Sequence, residues 1–169
     1  MSEIDYQVLT VEQAKEAQPG LCDVLQACVA EGASIGFISG DLLPMQGVIA
    51  SLASGEKKLI VALQQGRIVA TVLVVLGMPA NGQHRAEIAK LLVHPQARRQ
   101  GIARELLSRG EQLAREAGRT LLVLDTRTGD VAEQLYLAQG WQISGQIPCF
   151  ALSTEGVLDA TTVMYKVMA

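Results

Sequence analysis

The 169-residue sequence contains no run of about 18 or more apolar residues, the length needed for a membrane-spanning helix. Its first residues, MSEIDYQ, lack the basic and apolar regions of a secretory signal, so the expected location is cytoplasmic. Cysteines number only three, Cys22, Cys28 and Cys149, without Cys-x-x-Cys spacing. The two histidines, His84 and His94, lie near no cysteine and at no ligand spacing, so neither a metal site nor a disulfide framework is expected. A free cysteine most often serves as a small buried hydrophobe. No Gly-x-x-x-x-Gly-Lys-Ser/Thr string is present, which excludes a Walker phosphate loop, and no Gly-x-Gly-x-x-Gly, which excludes the dinucleotide fingerprint. Internal repeats and low-complexity linkers are also missing. Neither sign of charge dominates: the net charge is −3, with 18% charged and 49% hydrophobic residues, which indicates neither disorder nor a nucleic-acid surface. The expectation is a single domain over residues 1–169, long enough to bury a sizeable core, as a monomer or homodimer.

The stretch from Arg85 to Gly110 organises the rest. Ala86, Ile88, Ala89, Leu91, Leu92 and Val93 form an apolar run broken only by Glu87 and Lys90, as expected of a strand buried on both faces. Pro95 cannot donate to a sheet ladder and ends that strand near His94. Ile102, Ala103, Leu106, Leu107, Leu113 and Ala114 then recur at helical spacing. Between strand and helix lie Arg98, Arg99, Gln100 and Gly101. A helix start offers free N–H groups and the positive end of the macrodipole, and small residues at Gly101 and Ala103 let a ligand approach the backbone. The loop therefore reads as a phosphate cradle rimmed by guanidinium groups.

Along the chain, residues 4–11 read as a strand and 12–18 as the start of a helix, broken at Pro19-Gly20 and resumed by Leu21, Val24, Leu25 and Cys28. Residues 32–37, rich in small side chains, form a loop that is either a plain connection or a substrate-pocket wall containing Ser34 and Phe37. Asp41 is a candidate cap for a helix that Gly55 stops. Residues 59–64 and 67–76 pair as a hairpin through Gln65-Gly66 and lead to the Glu87 strand. Residues 120–124 read as a buried strand ending in Asp125-Thr126, residues 131–139 as a short helix capped by Gly140, and residues 141–150 and 161–168 as two last strands, the first broken at Gly145 or Pro148. The fold class is α/β (α+β): a mixed sheet with helices on its faces.

The string Arg98-Arg99-Gln100-Gly101-Ile102-Ala103 resembles the Arg/Gln-x-x-Gly-x-Gly/Ala signature of the GNAT N-acetyltransferases, and the order of elements is similar to that fold along most of the chain. Leu135-Tyr136-Leu137-Ala138-Gln139-Gly140-Trp141 resembles the family's Leu-Tyr-x-x-x-Gly-Phe ending. The resemblance implies a mostly antiparallel sheet of about seven strands flanked by about four helices, acetyl-CoA as cosubstrate and no metal. It further implies that the loop amides hold the pyrophosphate, that the main chain of Leu91, Leu92 and Val93 pairs with pantetheine, and that Tyr136 lies near the coenzyme sulfur. One departure is Gly129, three residues before Ala132, where the family often has an Asn that contacts the pantetheine arm. Within the family the chain is similar to tabtoxin-resistance acetyltransferases at residues 32–37, Arg85-Ala86-Glu87, Lys90-Leu91, Leu124-Asp125-Thr126, Val131-Ala132-Glu133 and Tyr136.

Acetyl transfer to an amine needs the amine neutral, because an ammonium has no lone pair with which to attack a carbonyl. Glu87, eleven residues before Arg98 as the general base is in GNAT enzymes, is the candidate base, and burial in an apolar strand would raise its pKa usefully; the alternative is a Glu paired with Arg85 or Lys90. Tyr136 can give a proton to the leaving thiolate, or else be a packed aromatic. A backbone N–H near Leu92 or Val93 is the candidate oxyanion donor. Asp125, where a carboxylate at the end of a buried strand is expensive without a partner, either meets the acceptor, as the subgroup resemblance implies, or caps the next turn. Asp130 suits an N-cap. The expected function is acetyl-CoA-dependent N-acetylation of a small-molecule amine, including amino-acid-like toxins or antibiotics; the alternatives are a protein or peptide N-acetyltransferase and an acyl-CoA sensor without turnover.

Overall fold

A computed structural model describes residues 3–31 and 43–168. Ser34, Phe37 and Asp41 lie outside the described residues.

β1 (Ile4–Leu9) leads through Thr10 into α1 (Val11–Glu16). The Thr10 hydroxyl accepts from the Gln13 N–H while the Gln13 side chain accepts from the Thr10 N–H, a reciprocal cap that fixes the helix start. The helical pattern does not break at Pro19-Gly20. The break is at Ala17, and Pro19 sits in the first turn of α2 (Gln18–Ala30), where its missing N–H costs nothing. α3 (Leu43–Ser51) ends in a 3-10 turn stopped by Gly55. β2 (Lys57–Gln64) and β3 (Arg67–Val75) form the expected hairpin, with positive φ at both Gln65 (54°) and Gly66 (75°), as a two-residue turn matching strand twist requires. β4 (Arg85–Val93), α4 (Ile102–Glu116), β5 (Leu121–Arg127), α5 (Val131–Ala138), β6 (Gln142–Leu152) and β7 (Leu158–Val167) complete the order.

The seven strands form one sheet in the order β1-β2-β3-β4-β5-β7-β6, antiparallel except for the parallel β4–β5 pair. About seven mostly antiparallel strands were expected and seven are observed, while the described residues form five helices where about four were expected. β6 breaks register between Ile143 and Gly145 and again between Ile147 and Ala151, where Gly145 and Pro148 foretold it.

Side chains alternate between two cores. Val72, Val74, Ile88, Leu122, Leu124 and Met164 face α4 and α5, while Leu59, Val61, Leu73 and Leu92 face α1–α3. Gly110 shows how closely α4 is seated: a Cβ there would meet Ile88 Cδ1 at 3.3 Å and Val74 Cγ2 at 3.4 Å. Leu106 and Leu107 are fully buried beside it, each such burial stabilising by about 1.5–3 kcal/mol. Among the described residues, no helix is long and apolar enough to cross a membrane.

Candidate active site

β4 and β5 pair over three positions only, Arg85 with Leu121, Ala86 with Leu122 and Glu87 with Val123. Beyond Glu87 the strands part, since β4 continues along β3 to Val93 and β5 along β7 to Arg127. A bulge in β4 accompanies the parting. Lys90 adopts φ 53°, the register with β3 shifts between Thr71 and Leu73, and the buried Thr71 hydroxyl donates to the Lys90 carbonyl at 2.9 Å. Such a bulge bends its strand and sharpens the twist, and among the described residues β4 and β5 pair no further than Glu87 and Val123. The stretch of β4 beyond Glu87 includes the predicted Leu91, Leu92 and Val93. The Leu92 side chain is buried toward α1–α3, so only its main chain is available to a ligand.

The loop to α4 follows directly. His94 Nδ1 accepts from the Gln96 N–H at 3.1 Å, capping the turn Pro95–Ala97. Arg98 is extended, Arg99 is left-handed (φ 65°) and Gly101 is left-handed (φ 75°) at the N-cap of α4. No side chain caps this helix, so the N–H groups of its first turn, those of Ile102 and Ala103 among them, have no acceptor within the helix, and a Cβ on Gly101 would meet nothing within 4 Å. The predicted loop residues divide by role. Arg98 is bound to Glu31 at 2.5 Å at the end of α2. Gln100 accepts from Gln64 and donates to the Ala97 carbonyl, both at 3.1 Å, so it braces the loop. The Ile102 side chain is buried. Arg99 is exposed at the rim. The ring of free amides and adjacent cation suits a diphosphate.

Glu87 is half-buried, and its carboxyl is pushed above the usual range by desolvation first and the Asp125 charge second, against smaller opposing effects of Lys90 and Lys57. Asp125 departs from expectation. The strand runs on past it to Arg127, and it is exposed rather than buried, so its carboxylate carries no large desolvation cost. The Thr161 hydroxyl lies 3.1 Å from both the Asp125 carboxylate and the Thr126 carbonyl and donates its one proton to either, which places Asp125 on the strand rather than at a cap.

Tyr136 is held by the end of its own helix. The Trp141 N–H donates to the Tyr136 carbonyl at 3.0 Å and the Gly140 N–H to the Leu137 carbonyl at 3.1 Å, with Gly140 left-handed. The Tyr136 and Trp141 rings lie 5.8 Å apart, the apolar contact that accompanies this helix ending. Burial raises the Tyr136 phenol far above its ordinary value, assisted by Asp130 and Asp125, so it holds its proton. At Gly129 the backbone is left-handed (φ 82°) and its N–H donates to Glu133 at 3.0 Å. Asp130 takes the N-cap position of α5 without making a capping bond.

Sequence reasoning missed the Lys90 bulge, the Glu31–Arg98 pair and the tie of β7 to α4 and to the end of α5. In the last, Lys166 donates to Glu111 at 2.5 Å and to the Gln139 carbonyl at 2.8 Å. The one sequence signal for the bulge is the odd spacing of Glu87 and Lys90. Among the described residues, no group of three or more His, Cys, Asp or Glu is arranged to hold a metal ion.

Comparison with known proteins bears on this arrangement. A model of the "Acetyltransferase (GNAT) family" matches residues 39–141. N-acetyltransferase 8B of Rattus norvegicus is 41% identical over 69 residues, covering 40% of this chain and 31% of that protein, so the matched part is under a third of the relative's length. Among solved structures, a ribosomal-protein-alanine N-acetyltransferase from Brucella melitensis superposes with a TM-score of 0.80 at 20% identity, covering 96% of this chain and 99% of its own. A phosphinothricin acetyltransferase from Sinorhizobium meliloti in complex with acetyl-CoA gives 0.80 at 14% identity, covering 100% and 90%.

Proposed function

The chain belongs to the acetyltransferase (GNAT) family, and from that premise we propose that it is an acetyl-CoA-dependent N-acetyltransferase whose acceptor is a small-molecule amine. The observation that carries the reading is the parting of β4 and β5 between an uncapped helix start and the half-buried Glu87. The residues fit acetyl-CoA. The amides around Gly101, Ile102 and Ala103 and the Arg99 guanidinium would hold its diphosphate, and the free edge of β4 at Leu91, Leu92 and Val93 would take its amide-bearing arm. When bound, acetyl-CoA supplies an activated acetyl thioester.

The chain's own part is proton handling and orientation. Glu87, with its pKa raised toward that of a useful base, removes the proton that keeps an incoming amine from attacking. Asp125, exposed on the neighbouring strand, attracts the ammonium form and orients it. A main-chain N–H of Leu92 or Val93 is the donor for negative charge developing on the carbonyl oxygen. Tyr136 keeps its proton to alkaline pH and is the acid available to a departing thiolate. The resemblance to tabtoxin-resistance enzymes supports an amino-acid-like toxin or antibiotic as the acceptor, with detoxification as the role.

The test is thiol release from acetyl-CoA against a panel of amines, amino acids, polyamines, aminoglycosides and lysine peptides, with acetyl-CoA binding followed by calorimetry. Acceptor-dependent release abolished by Glu87→Gln supports the reading. Binding without release to any acceptor favours a sensor, and no binding overturns the loop assignment.

A further inference from the structure

Ten large hydrophobic side chains among the described residues are exposed, and six of them, Ile143, Ile147, Phe150, Leu152, Val157 and Leu158, fall between positions 143 and 158, on β6 and the turn into β7. Such a concentration marks a surface for contact, unlike the single exposed hydrophobes scattered over any folded chain.

β6 is the last strand of the sheet, so one of its edges has no strand beside it among the described residues. Ile143 pairs with Met164 and Leu152 with Leu158, on the face packed by α4 and α5, whereas Ile147 pairs with Thr161 on the opposite face. Apolar side chains on both faces suit an enclosed strand better than a rim. None of the eleven residues of β6 is charged. The other rim of the sheet is built differently: β1 has six residues, carries Asp5, and has the Arg109 guanidinium over its Tyr6 ring at 4.4 Å. Shortness and charge are ordinary means of keeping an edge from pairing, and β6 has neither. Its register with β7 shifts between Ile147 and Ala151, where Pro148 lacks an N–H and Cys149 is left-handed (φ 54°). A ladder to an outside strand is interrupted there, so whatever covers β6 does so mainly with side chains, around Phe150.

At exposures of 45–57%, the six side chains leave roughly 500 Å² of apolar surface open on one chain. Two copies joined by this patch bury roughly 1,000 Å² before any polar rim is counted, the size at which an interface persists in solution. A second copy also fits the charge pattern. A twofold axis sets β6 antiparallel to its own copy, apolar surface against apolar surface, and an uncharged strand meets no like charge in doing so. Glu155, the one charged residue from 143 to 158, stands at the turn, so a central axis carries its two copies to opposite ends. We propose that residues 143–158 form the interface of a homodimer, with Phe150 as its central anchor.

The experiment uses the native, fully reduced chain, in which Cys22 and Cys28 are buried and Cys149, inside the proposed interface, is exposed. Sedimentation equilibrium at about 100 μM is expected to give twice the 18.0 kDa mass of one chain. The rate constant for thiol labelling at Cys149 should be at least about fivefold lower in that dimer than in chain diluted until it sediments as a monomer. Phe150→Glu should sediment as a monomer and label at the fast rate, with the circular dichroism spectrum of the parent. If that variant does not fold, labelling of the unmutated chain decides. A chain that is monomeric at about 100 μM overturns the inference, and so does a dimer in which Cys149 labels at the monomer rate, or one that Phe150→Glu leaves intact.

Discussion

The contact between Lys166 and Glu111 permits a quantitative test of how α4 is tied to β7. Glu111 on α4 is 5% exposed, and Lys166 on β7 reaches it at 2.5 Å while also donating to the last carbonyl region of α5 at Gln139, 2.8 Å away. The two partners are unequally buried, with side-chain exposures of 25% for Lys166 and 7% for Glu111. Lys166→Met therefore leaves a carboxylate in the interior without its cation and strips the Gln139 carbonyl of a donor. Breaking a buried pair from one side costs about 3–5 kcal/mol. For a chain of this length, that corresponds to a fall in Tm of roughly 6–20 °C. Glu111→Gln is milder, because Lys166 keeps Gln139 and has access to water, so the loss is that of a charged hydrogen bond, about 1.5–3 kcal/mol. The double variant Lys166→Met with Glu111→Leu removes both charges, and it should recover to within about 1 kcal/mol of the parent. Urea unfolding at constant m-value measures all three. Equal costs for the two single variants, or a double variant as unstable as their sum, would refute the reasoning.

Gly101→Val should cost about 1–2 kcal/mol, since a side chain must adopt φ 75°, and should weaken acetyl-CoA by tenfold or more by filling the space before α4; calorimetry and thermal unfolding separate the two effects. Because Glu87 must be deprotonated to act and its pKa lies above the ordinary carboxylate value, kcat/KM should rise with pH along an acidic limb placed above that value. Asp125→Asn should move the limb to lower pH by removing a charge that raises Glu87, and Lys57→Met should move it upward; pH–rate profiles for an acceptor used by both variants decide. Tyr136→Phe should lower kcat tenfold or more with acetyl-CoA affinity nearly unchanged, whereas Arg99→Ala should raise the acetyl-CoA Kd several-fold with kcat nearly intact; equal loss of both quantities in Tyr136→Phe counts against the acid role.

Much of the frame was legible because it rests on local pattern. The β4 run, the Gln65-Gly66 turn, the amphipathic spacing of α4 and the Gly140 helix ending each depend on a few consecutive residues with one strong conformational preference. Features decided at a distance were not legible. Lys90 adopts a left-handed conformation that no residue type announces, and it is stabilised by Thr71 on another strand. Pro19 reads equally as a stop or as a first-turn residue until the path of α1 is known. Asp125 looked buried because its strand neighbours are apolar, but it is exposed where β5 leaves β4. Residues 32–37, the expected pocket wall, fall outside what the structure describes.

The short seam between β4 and β5 has a mechanical consequence. Three paired positions join the four-stranded part of the sheet built from residues 4–93 to the three-stranded part built from residues 121–167, with α4 bridging them from one side. Each part has its own network of strand pairing, so opening along this seam breaks the fewest ladder positions, while one apolar core that spans both parts resists it. Amide protons on the β5-facing edge of residues 88–93 exchange with solvent without any strand having to separate. A molecule lying along that edge supplies the pairing the seam lacks, so occupancy is felt as stiffening between the halves, at positions far from any atom it touches.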